Sequence, residues 1–247
     1  MLEKIDGYIM KARDYGETHK IITVFSKKLG KFSGLAKGAK KTRSRMAAVT
    51  QPFIYGQFFV YINNGLSTIQ QGEIIHSYRP IREDIVKTAY VAYIMELTDK
   101  LMDEKSPDIF IFDQLFHTMK RIEEDKNLDV PVMMYELKMY SKGGFAPHVK
   151  SCANCGNNEP PYVFSIQEGG LLCTKCRHLD TSVIPISNQI VKLLYIFSEV
   201  GIERVGSISV KEENVKILRR ILDLYYEQYG GYYLKTRRFL NQLDILK

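Results

Sequence analysis

The sequence predicts a mixed α+β protein of two domains, a small five-stranded β-barrel followed by a mainly α-helical domain that carries an inserted cysteine module. Apolar residues alternate with a period of two up to about Pro80, and beyond it they recur with the period of a helix. All four cysteines fall between residues 152 and 176. The length of 247 residues also exceeds the roughly 100–150 residues typical of one domain.

The first domain, residues 1–80, is predicted to contain five short strands, at residues 4–14, 20–26, 31–36, 53–62 and 67–78. Asn63-Asn64-Gly65 separates the last two and is typical of a hairpin turn, because Asn and Gly tolerate positive φ. Five short strands suit a small closed or nearly closed barrel, since closure removes exposed edges. An OB-fold is the expected version, and an SH3-like barrel is the alternative.

The second domain, residues 81–247, is predicted to be helical. Its first helix has one apolar face, formed by Val86, Tyr90, Tyr93, Leu97 and Leu101. Further helices are expected after the cap Ser106, from Pro131, after Ser187 and through Val215. We interpret their apolar stripes as core.

The cysteines form two Cys-x-x-Cys pairs, Cys152/Cys155 and Cys173/Cys176. This spacing allows four thiolates to surround one tetrahedral Zn²⁺ at ~2.3 Å. Four protein ligands leave no position for water, so the zinc would be structural. The sequence therefore predicts a four-cysteine zinc module at about residues 148–180.

Other uses of the cysteines fit less well. Nothing marks the chain as secreted, which disfavours disulfides. A redox Cys-x-x-Cys would account for one pair only, and a c-type haem motif requires histidine where Arg177 stands. His178 is either a spare ligand or an ordinary surface histidine.

The net charge of +7 is unevenly placed. Residues 1–79 hold 13 Lys or Arg and 5 Asp or Glu, whereas the rest of the chain is close to neutral. Residues 27–45 include eight basic residues and no acidic one, which favours a polyanion partner over a merely solvated loop. On a flexible loop projecting from the barrel, these side chains could follow a DNA backbone. The predicted DNA contacts are Lys31, Lys37, Lys40, Lys41, Arg43 and Arg45.

The first domain is also rich in aromatic residues, which in OB-folds stack on bases for about 1–3 kcal/mol each. Most of them must fill the barrel, and the sequence does not tell which few face outward. The ten candidates are Tyr8, Tyr15, Phe25, Phe32, Phe53, Tyr55, Phe58, Phe59, Tyr61 and Tyr78.

Several kinds of motif are missing from the sequence. Gly34, Gly38 and Lys40 approach a phosphate loop but have the wrong spacing, so no nucleotide cofactor is expected. There is no metalloprotease or nucleophile-elbow motif and no carboxylate cluster for Mg²⁺, so we expect a protein that is not an enzyme. The absence of a signal peptide and of an apolar stretch that could span a membrane predicts a soluble, cytoplasmic protein with no membrane partner.

Several segments carry a family resemblance. Residues 15–26 (YGETHKIITVFS), 30–31 (GK), 36–45 (AKGAKKTRSR) and 51–53 (QPF) resemble the N-terminal domain of the RecO family of DNA repair proteins. Residues 144–147 (GFAP), the two cysteine pairs and residues 169–173 (GGLLC) are similar to its zinc-binding segment. Residues 235–240 (KTRRFL) are less diagnostic. Some members of the family lack the cysteines, so the chain resembles its zinc-containing branch.

The resemblance implies an N-terminal OB-fold and a helical C-terminal domain with the zinc module. It implies binding of single- and double-stranded DNA, annealing of complementary strands without ATP, and help in loading RecA onto strands covered by single-stranded DNA-binding protein. RecR and that binding protein are the implied partners, in the bacterial cytoplasm and nucleoid. Carried onto this sequence, Lys37, Lys40, Lys41, Arg43 and Arg45 would contact DNA, and the four cysteines would hold zinc.

Two other functions remain open. A zinc-stapled protein–protein adaptor with incidental DNA binding predicts weak DNA affinity and partner binding that survives neutralisation of the basic segment. A zinc-containing nuclease predicts turnover of DNA that a chelator inhibits.

Overall fold

The computed structural model describes residues 1–124, 127–205 and 209–245. The chain forms two compact units. The first comprises Met1–Asp125 together with Leu234–Lys247, and the second comprises Lys126–Tyr233. In sequence, the second unit is therefore an insertion into the first.

The first unit contains a five-stranded barrel. Its strands are β1 (Leu2–Tyr15), β2 (His19–Ser26), β3 (Gly30–Ala36), β4 (Tyr55–Tyr61) and β5 (Ser67–His76). The order is β1-β2-β3-β5-β4, with β4 also paired to β1, so that every strand has two neighbours. All pairs are antiparallel except β3–β5. This arrangement is the five-stranded Greek-key barrel of an OB-fold, and all five predicted strands are present.

The barrel interior is filled by alternate side chains of its strands, as the period of two requires. In β3, Phe32 is buried and its neighbours Lys31 and Ser33 are only partly buried. Three residues outside the strands, Ala39, Val49 and Ile54, belong to the same core cluster. The segment between β3 and β4 is therefore packed into the barrel at three points.

The connection between β4 and β5 differs from the expected tight turn. Asn63, Asn64 and Gly65 do not have positive φ. Instead, the Asn63 side-chain amide donates to the carbonyl of Leu66 over 3.1 Å, and Lys105 Nζ donates to the carbonyls of Asn63 and Asn64 over 2.6 and 2.7 Å. Side-chain hydrogen bonds close this loop. The hairpin that Asn63-Asn64-Gly65 predicted is therefore present, but the expected turn with positive φ is not.

The helices run in chain order through both units. They are α1 (Arg45–Val49), α2 (Arg79–Arg82), α3 (Ile85–Leu101), α4 (Ile109–Glu124), α5 (Asp129–Lys142), α6 (Asn188–Glu199), α7 (Glu212–Tyr229) and α8 (Lys235–Ile245). Among the described residues, no helix has the length and hydropathy needed to cross a membrane.

Polar side chains begin the three longest helices of the first unit, α3, α4 and α8. Asp84 accepts hydrogen bonds from the backbone N–H groups of Val86 and Lys87 at the start of α3. Asp108 accepts from Ile111 N at the start of α4, in place of the predicted cap Ser106. At α8 the cap comes from a distant residue, because Glu96 of α3 accepts from Thr236 N over 2.9 Å. The last helix is thereby tied to the first unit.

The second unit combines α5, α6 and α7 with a small sheet of β6 (Tyr162–Ser165), β7 (Gly170–Cys173) and β8 (Ile184–Pro185), in the order β7-β6-β8. Two charged side chains are buried on α5. Glu136 accepts from Arg219 Nη1 over 2.8 and 2.9 Å. Lys138 donates to the carbonyls of Phe197 and Ser198 at the end of α6, and burial lowers its pKa to about 8. Hydrogen bonds therefore offset the burial of both charges.

Gly30 offers a test of the packing in the first unit. Its φ is +72°, and an added Cβ would lie 2.4 Å from the carbonyl oxygen of Ser106. We expect Gly30→Ala to lower the free energy of unfolding by about 2–4 kcal/mol, through backbone strain and a backbone clash. Gly65→Ala is the control, since an added Cβ there has open space. Equal denaturant midpoints for the two variants would contradict the prediction.

Candidate nucleic-acid interface and metal centre

The link between β3 and α1, residues 37–44, contains most of the predicted DNA contacts, and we refer to it as the basic loop. Lys37, Lys40, Lys41 and Arg43 lie in it and are exposed, and Arg45 follows as the exposed first residue of α1. Within the described residues, no carboxylate forms an ion pair with Lys37, Lys41, Arg43 or Arg45. Their charges are therefore available to an anionic ligand.

The basic loop is anchored to the barrel rather than projecting freely from it. Gly38 N donates to Nδ1 of His19 over 3.0 Å, and Lys40 N donates to the carbonyl of Thr18 over 3.0 Å. Between these two bonds, Ala39 is 1% exposed in the barrel core. At the far end, Ser44 Oγ accepts from Met46 N and caps α1. The cations are thus presented on a fixed backbone.

Two of the six predicted contacts already have partners within the first unit. Lys31 Nζ donates to the carbonyl of Asp99 and lies 3.8 Å from its carboxylate, and the Lys31 side chain is only 12% exposed. Lys40 Nζ lies 3.1 Å from Asp14 Oδ2. These two lysines would have to exchange a partner in order to meet a phosphate.

A groove of about 330 Å³ runs over the outer face of β1, β2 and β3. Arg13 lies opposite Ile21 in the β1–β2 register, and Lys11 lies opposite Thr23. OB-folds bind oligonucleotides on the face of strands 2 and 3 and on the adjoining loops. The groove is lined by Lys11, Ala12, Arg13, Ile21, Thr23 and Ser33.

The structure separates the ten aromatic residues of the barrel into core and surface. Among these ten, Tyr15 and Tyr61 are exposed, at 53% and 45%. Tyr8 is fully buried and its hydroxyl lies 2.9 Å from that of Tyr78, where burial raises the pKa of Tyr78 to about 12. Tyr15 ends β1, and Tyr61 ends β4.

The four cysteine sulfurs lie within 4.8 Å of one another in the second unit. The Sγ atoms of Cys155 and Cys173 are 3.7 Å apart. A tetrahedron with ~2.3 Å metal–sulfur bonds has edges of about 3.8 Å, whereas a disulfide bond is about 2.05 Å long. The arrangement therefore fits the four ligands of one metal ion and does not fit disulfides.

Short-range hydrogen bonds shape both Cys-x-x-Cys turns. Gly156 N donates to the carbonyl of Cys152 over 2.9 Å with φ at +71°, a backbone conformation that favours glycine. Cys176 N donates to the carbonyl of Cys173 over 3.0 Å. The first turn is tied to β7 because Ala153 N donates to the carbonyl of Leu171. Backbone hydrogen bonds between the first turn and β7 thus bring the two cysteine pairs together.

The surroundings of the sulfurs favour a bound cation. Burial raises the pKa of Cys152, but hydrogen bonds from the backbone of Cys155, Cys173 and Asn154 outweigh it and lower the pKa to about 6. At Cys176 the Asn154 amide lowers the pKa, whereas burial and the neighbouring thiols raise it to about 12. Four thiols this close cannot all ionise without a compensating charge, which a divalent metal ion would supply.

The small sheet beside the cysteines packs on α7. The rings of Phe164 and Tyr225 are 6.1 Å apart, and the Tyr229 hydroxyl donates to the carbonyls of Ile166 and Gln167. His178, the spare ligand considered above, is exposed and bonds to the carbonyl of Lys175, outside the group of four sulfurs. The candidate ligands are therefore the four cysteines.

Comparison with protein families identifies the relationship. A model described as Recombination protein O N terminal matches residues 1–78, and one described as Recombination protein O C terminal matches residues 82–238. The chain belongs to the RecO family.

Individual relatives agree with the family models. The chain is 58% identical over 244 residues to a protein of Oceanobacillus iheyensis, covering 99% of this chain and 95% of the relative. It is 42% identical to a protein of Bacillus velezensis and 40% identical to one of Bacillus subtilis, in both cases over all of this chain and 97% of the relative. All three relatives carry the name DNA repair protein RecO.

Membership of the RecO family and the mixed α+β fold, both predicted from the sequence, are confirmed. The structure brings the four cysteines together, and it places five of the six predicted DNA contacts on the basic loop and α1, while the contacts themselves stay predictions. The sequence analysis missed Arg13 and His19. Alternation of Lys11 and Arg13 along β1 could have indicated that Arg13 lies on the surface of the barrel. No local pattern indicated that His19 anchors the basic loop.

The metal centre generates a direct test. We expect the purified chain to hold one tightly bound thiophilic ion, and Cys173→Ser to hold much less and to lose several kcal/mol of unfolding free energy. Metal content is measured by mass spectrometry and stability by thermal unfolding. Thr174→Ala, an exposed position between two ligands, is the control and should keep the ion. A wild-type chain whose four thiols react freely as purified would contradict a metal site.

Proposed function

We propose that this chain is a non-enzymatic DNA-binding protein of recombinational repair. It binds single- and double-stranded DNA, anneals complementary strands without ATP, and helps RecA load onto strands covered by single-stranded DNA-binding protein. Residues 1–80 form the DNA-binding domain, and residues 81–247 form the helical domain with its zinc module at about 148–180. Membership of a family whose relatives are named DNA repair protein RecO supports the repair role.

One observation carries the proposal: the cations of the basic loop are exposed, held on a fixed backbone and largely unpaired. Lys37, Lys41, Arg43 and Arg45 form no ion pair with a described carboxylate. A phosphate backbone neutralised by such residues releases counterions, which drives binding without regard to sequence. The adjoining groove with Arg13 would extend the path of the backbone over the barrel face.

Contacts of this kind are compatible with annealing. Lysine and arginine side chains that meet phosphates screen the repulsion between two strands. They leave base edges free, since phosphate contacts carry no direct sequence information. A protein that binds through the backbone can therefore hold two complementary strands while their bases pair.

The partners and the metal complete the proposal. RecR and the single-stranded DNA-binding protein are the protein partners, in the bacterial cytoplasm and at the nucleoid, and this part is supported by the resemblance alone. The metal is one Zn²⁺, held by Cys152, Cys155, Cys173 and Cys176. Four thiolates leave no open position on the ion, so its role is to stabilise the second unit.

Strand annealing tests the proposal. Complementary labelled oligonucleotides are mixed with zinc-loaded protein in the absence of ATP, bare or coated with single-stranded DNA-binding protein, at two salt concentrations. We expect acceleration that weakens with salt and persists on coated strands. Changing Lys37, Lys40, Lys41, Arg43 and Arg45 together to alanine should reduce the rate and flatten the salt dependence of binding by about 0.7 in log–log slope for each lost contact with single-stranded DNA.

The matched control removes the same number of exposed cations from elsewhere on the chain, at Lys120, Lys175, Arg177, Lys192 and Lys211. This variant should anneal nearly as the wild type does. Equal losses of annealing rate in both variants would show that the effect depends on net charge and not on the basic loop. A folded, zinc-loaded wild type that neither binds nor anneals DNA would contradict the proposal and favour the adaptor function.

A further inference from the structure

The basic loop and the connection from the last residue of β1 to the first residue of β2, residues 15–19, form one hydrogen-bonded element. The bonds from Gly38 N to His19 and from Lys40 N to Thr18 lie two residues apart in the loop and meet consecutive residues of this connection. Thr18 Oγ1 also lies 3.4 Å from His19 Nδ1. The conformation of the loop therefore depends on this connection.

The Gly38 bond requires a specific side chain at position 19. A backbone N–H can only donate, so His19 Nδ1 must offer its lone pair and its ring proton must be on Nε2. Gly38 has φ at +68°, where a side chain would be strained, so the loop has little freedom to reach another acceptor at this point. His19 thus holds the loop at its tightest bend.

Tyr15 is the first residue of the same element. Lys40 Nζ contacts Asp14 Oδ2 at 3.1 Å and the carbonyl of Gly16 at 3.5 Å, the residues on either side of Tyr15. The Tyr15 side chain is 53% exposed. Arg13, two residues earlier on β1, lines the groove on the barrel face. An exposed aromatic ring therefore lies beside two cations, Lys40 of the basic loop and Arg13 on its own strand.

This combination matches the chemistry of a nucleic-acid strand whose bases are unpaired. Single-stranded binders combine a cationic track for the backbone with aromatic rings that stack on bases. A duplex covers the faces of its bases, so such a ring gains little from it. Tyr61, the other exposed aromatic residue among the ten of the barrel, ends β4, next to a loop whose nearby Lys105 is bound to backbone carbonyls.

We propose that Tyr15 stacks on a base of single-stranded DNA and that His19 is the positioning residue that holds the basic loop beside it. The inference rests on the proposed DNA-binding function and adds to it. The basic loop binds either form of DNA through phosphates, and Tyr15 adds affinity for the single-stranded form alone.

Tyr15 is tested by fluorescence anisotropy with a labelled oligothymidine of about 16 nucleotides, near the upper site size of an OB-fold, and a duplex of equal length. Tyr15→Ala should weaken single-strand binding about 5- to 100-fold, which corresponds to the loss of one stacked base. It should leave duplex affinity and the salt slope unchanged, because no charge is removed. Tyr15→Phe retains the ring and should bind as the wild type does, and so should Tyr61→Ala.

His19 is tested by His19→Leu, which lacks an acceptor, and His19→Asn, whose amide oxygen can replace it. The leucine variant should bind both DNA forms about 3- to 10-fold more weakly, because the loop must be ordered on binding. Hydrogen exchange at Gly38 and Lys40 should become faster while the thermal midpoint stays within a few degrees of that of the wild type. The asparagine variant should recover both properties.

The outcomes separate this inference from the function on which it rests. Tight wild-type binding that Tyr15→Ala leaves unchanged on the oligothymidine, or weakens equally on the duplex, overturns the stacking role. Unchanged affinity and exchange in His19→Leu overturn the positioning role. A wild type that binds neither form of DNA overturns the proposed function, and this inference falls with it.

Discussion

The hydrogen bond from Gly38 N to the ring of His19 fixes the part of the molecule on which DNA binding would depend. Ordering a loop rich in lysine and arginine costs free energy, because its charges repel and its side chains lose conformational entropy. Anchoring it with carboxylates would neutralise the charges that it presents. The chain instead uses backbone donors, an imidazole acceptor and a buried Ala39, and among the described carboxylates only that of Asp14 engages a cation of the loop, Lys40.

In the second unit, the segment that carries the four cysteines is held together in a different way from the basic loop. Residues 148–180 contain only two short strands and a single turn of 3-10 helix. Backbone hydrogen bonds between the first Cys-x-x-Cys turn and β7 bring the sulfurs within 4.8 Å, a density of thiols that is favourable only around a cation. Packing of Phe164 on Tyr225 then joins the module to α7. A metal ion at these sulfurs would add to the stability of the small core formed by Phe164, Leu171 and Leu172.

Much of this architecture was predictable because its signals are local. Alternation indicated the five strands, and cysteine spacing indicated the four candidate metal ligands. Helices α1 and α2 were missed because four or five residues are too few to show a period. Other features arise from partners distant in sequence: Lys31 is bound to Asp99, and Glu96 caps α8. The anchoring of the basic loop by His19 belongs to this second kind, since periodicity and motif spacing carry no information about which acceptor a loop will find.

The proposed separation of phosphate contacts on the basic loop from base stacking on Tyr15 affects how annealing would end. Phosphate contacts survive when two strands pair, because the duplex still presents its backbones. The proposed stacking on Tyr15 would not survive, since pairing returns the base to the interior of the helix. Binding to separate strands would therefore be stronger than binding to the product by the stacking contribution of about 1–3 kcal/mol per base. That difference opposes pairing slightly, but it is small beside the stacking of the duplex itself, about 1.4 kcal/mol for every base-pair step. It would favour transfer of the protein from a finished duplex to the next unpaired segment, so that one contact sets both the preference for single strands and the release of the product.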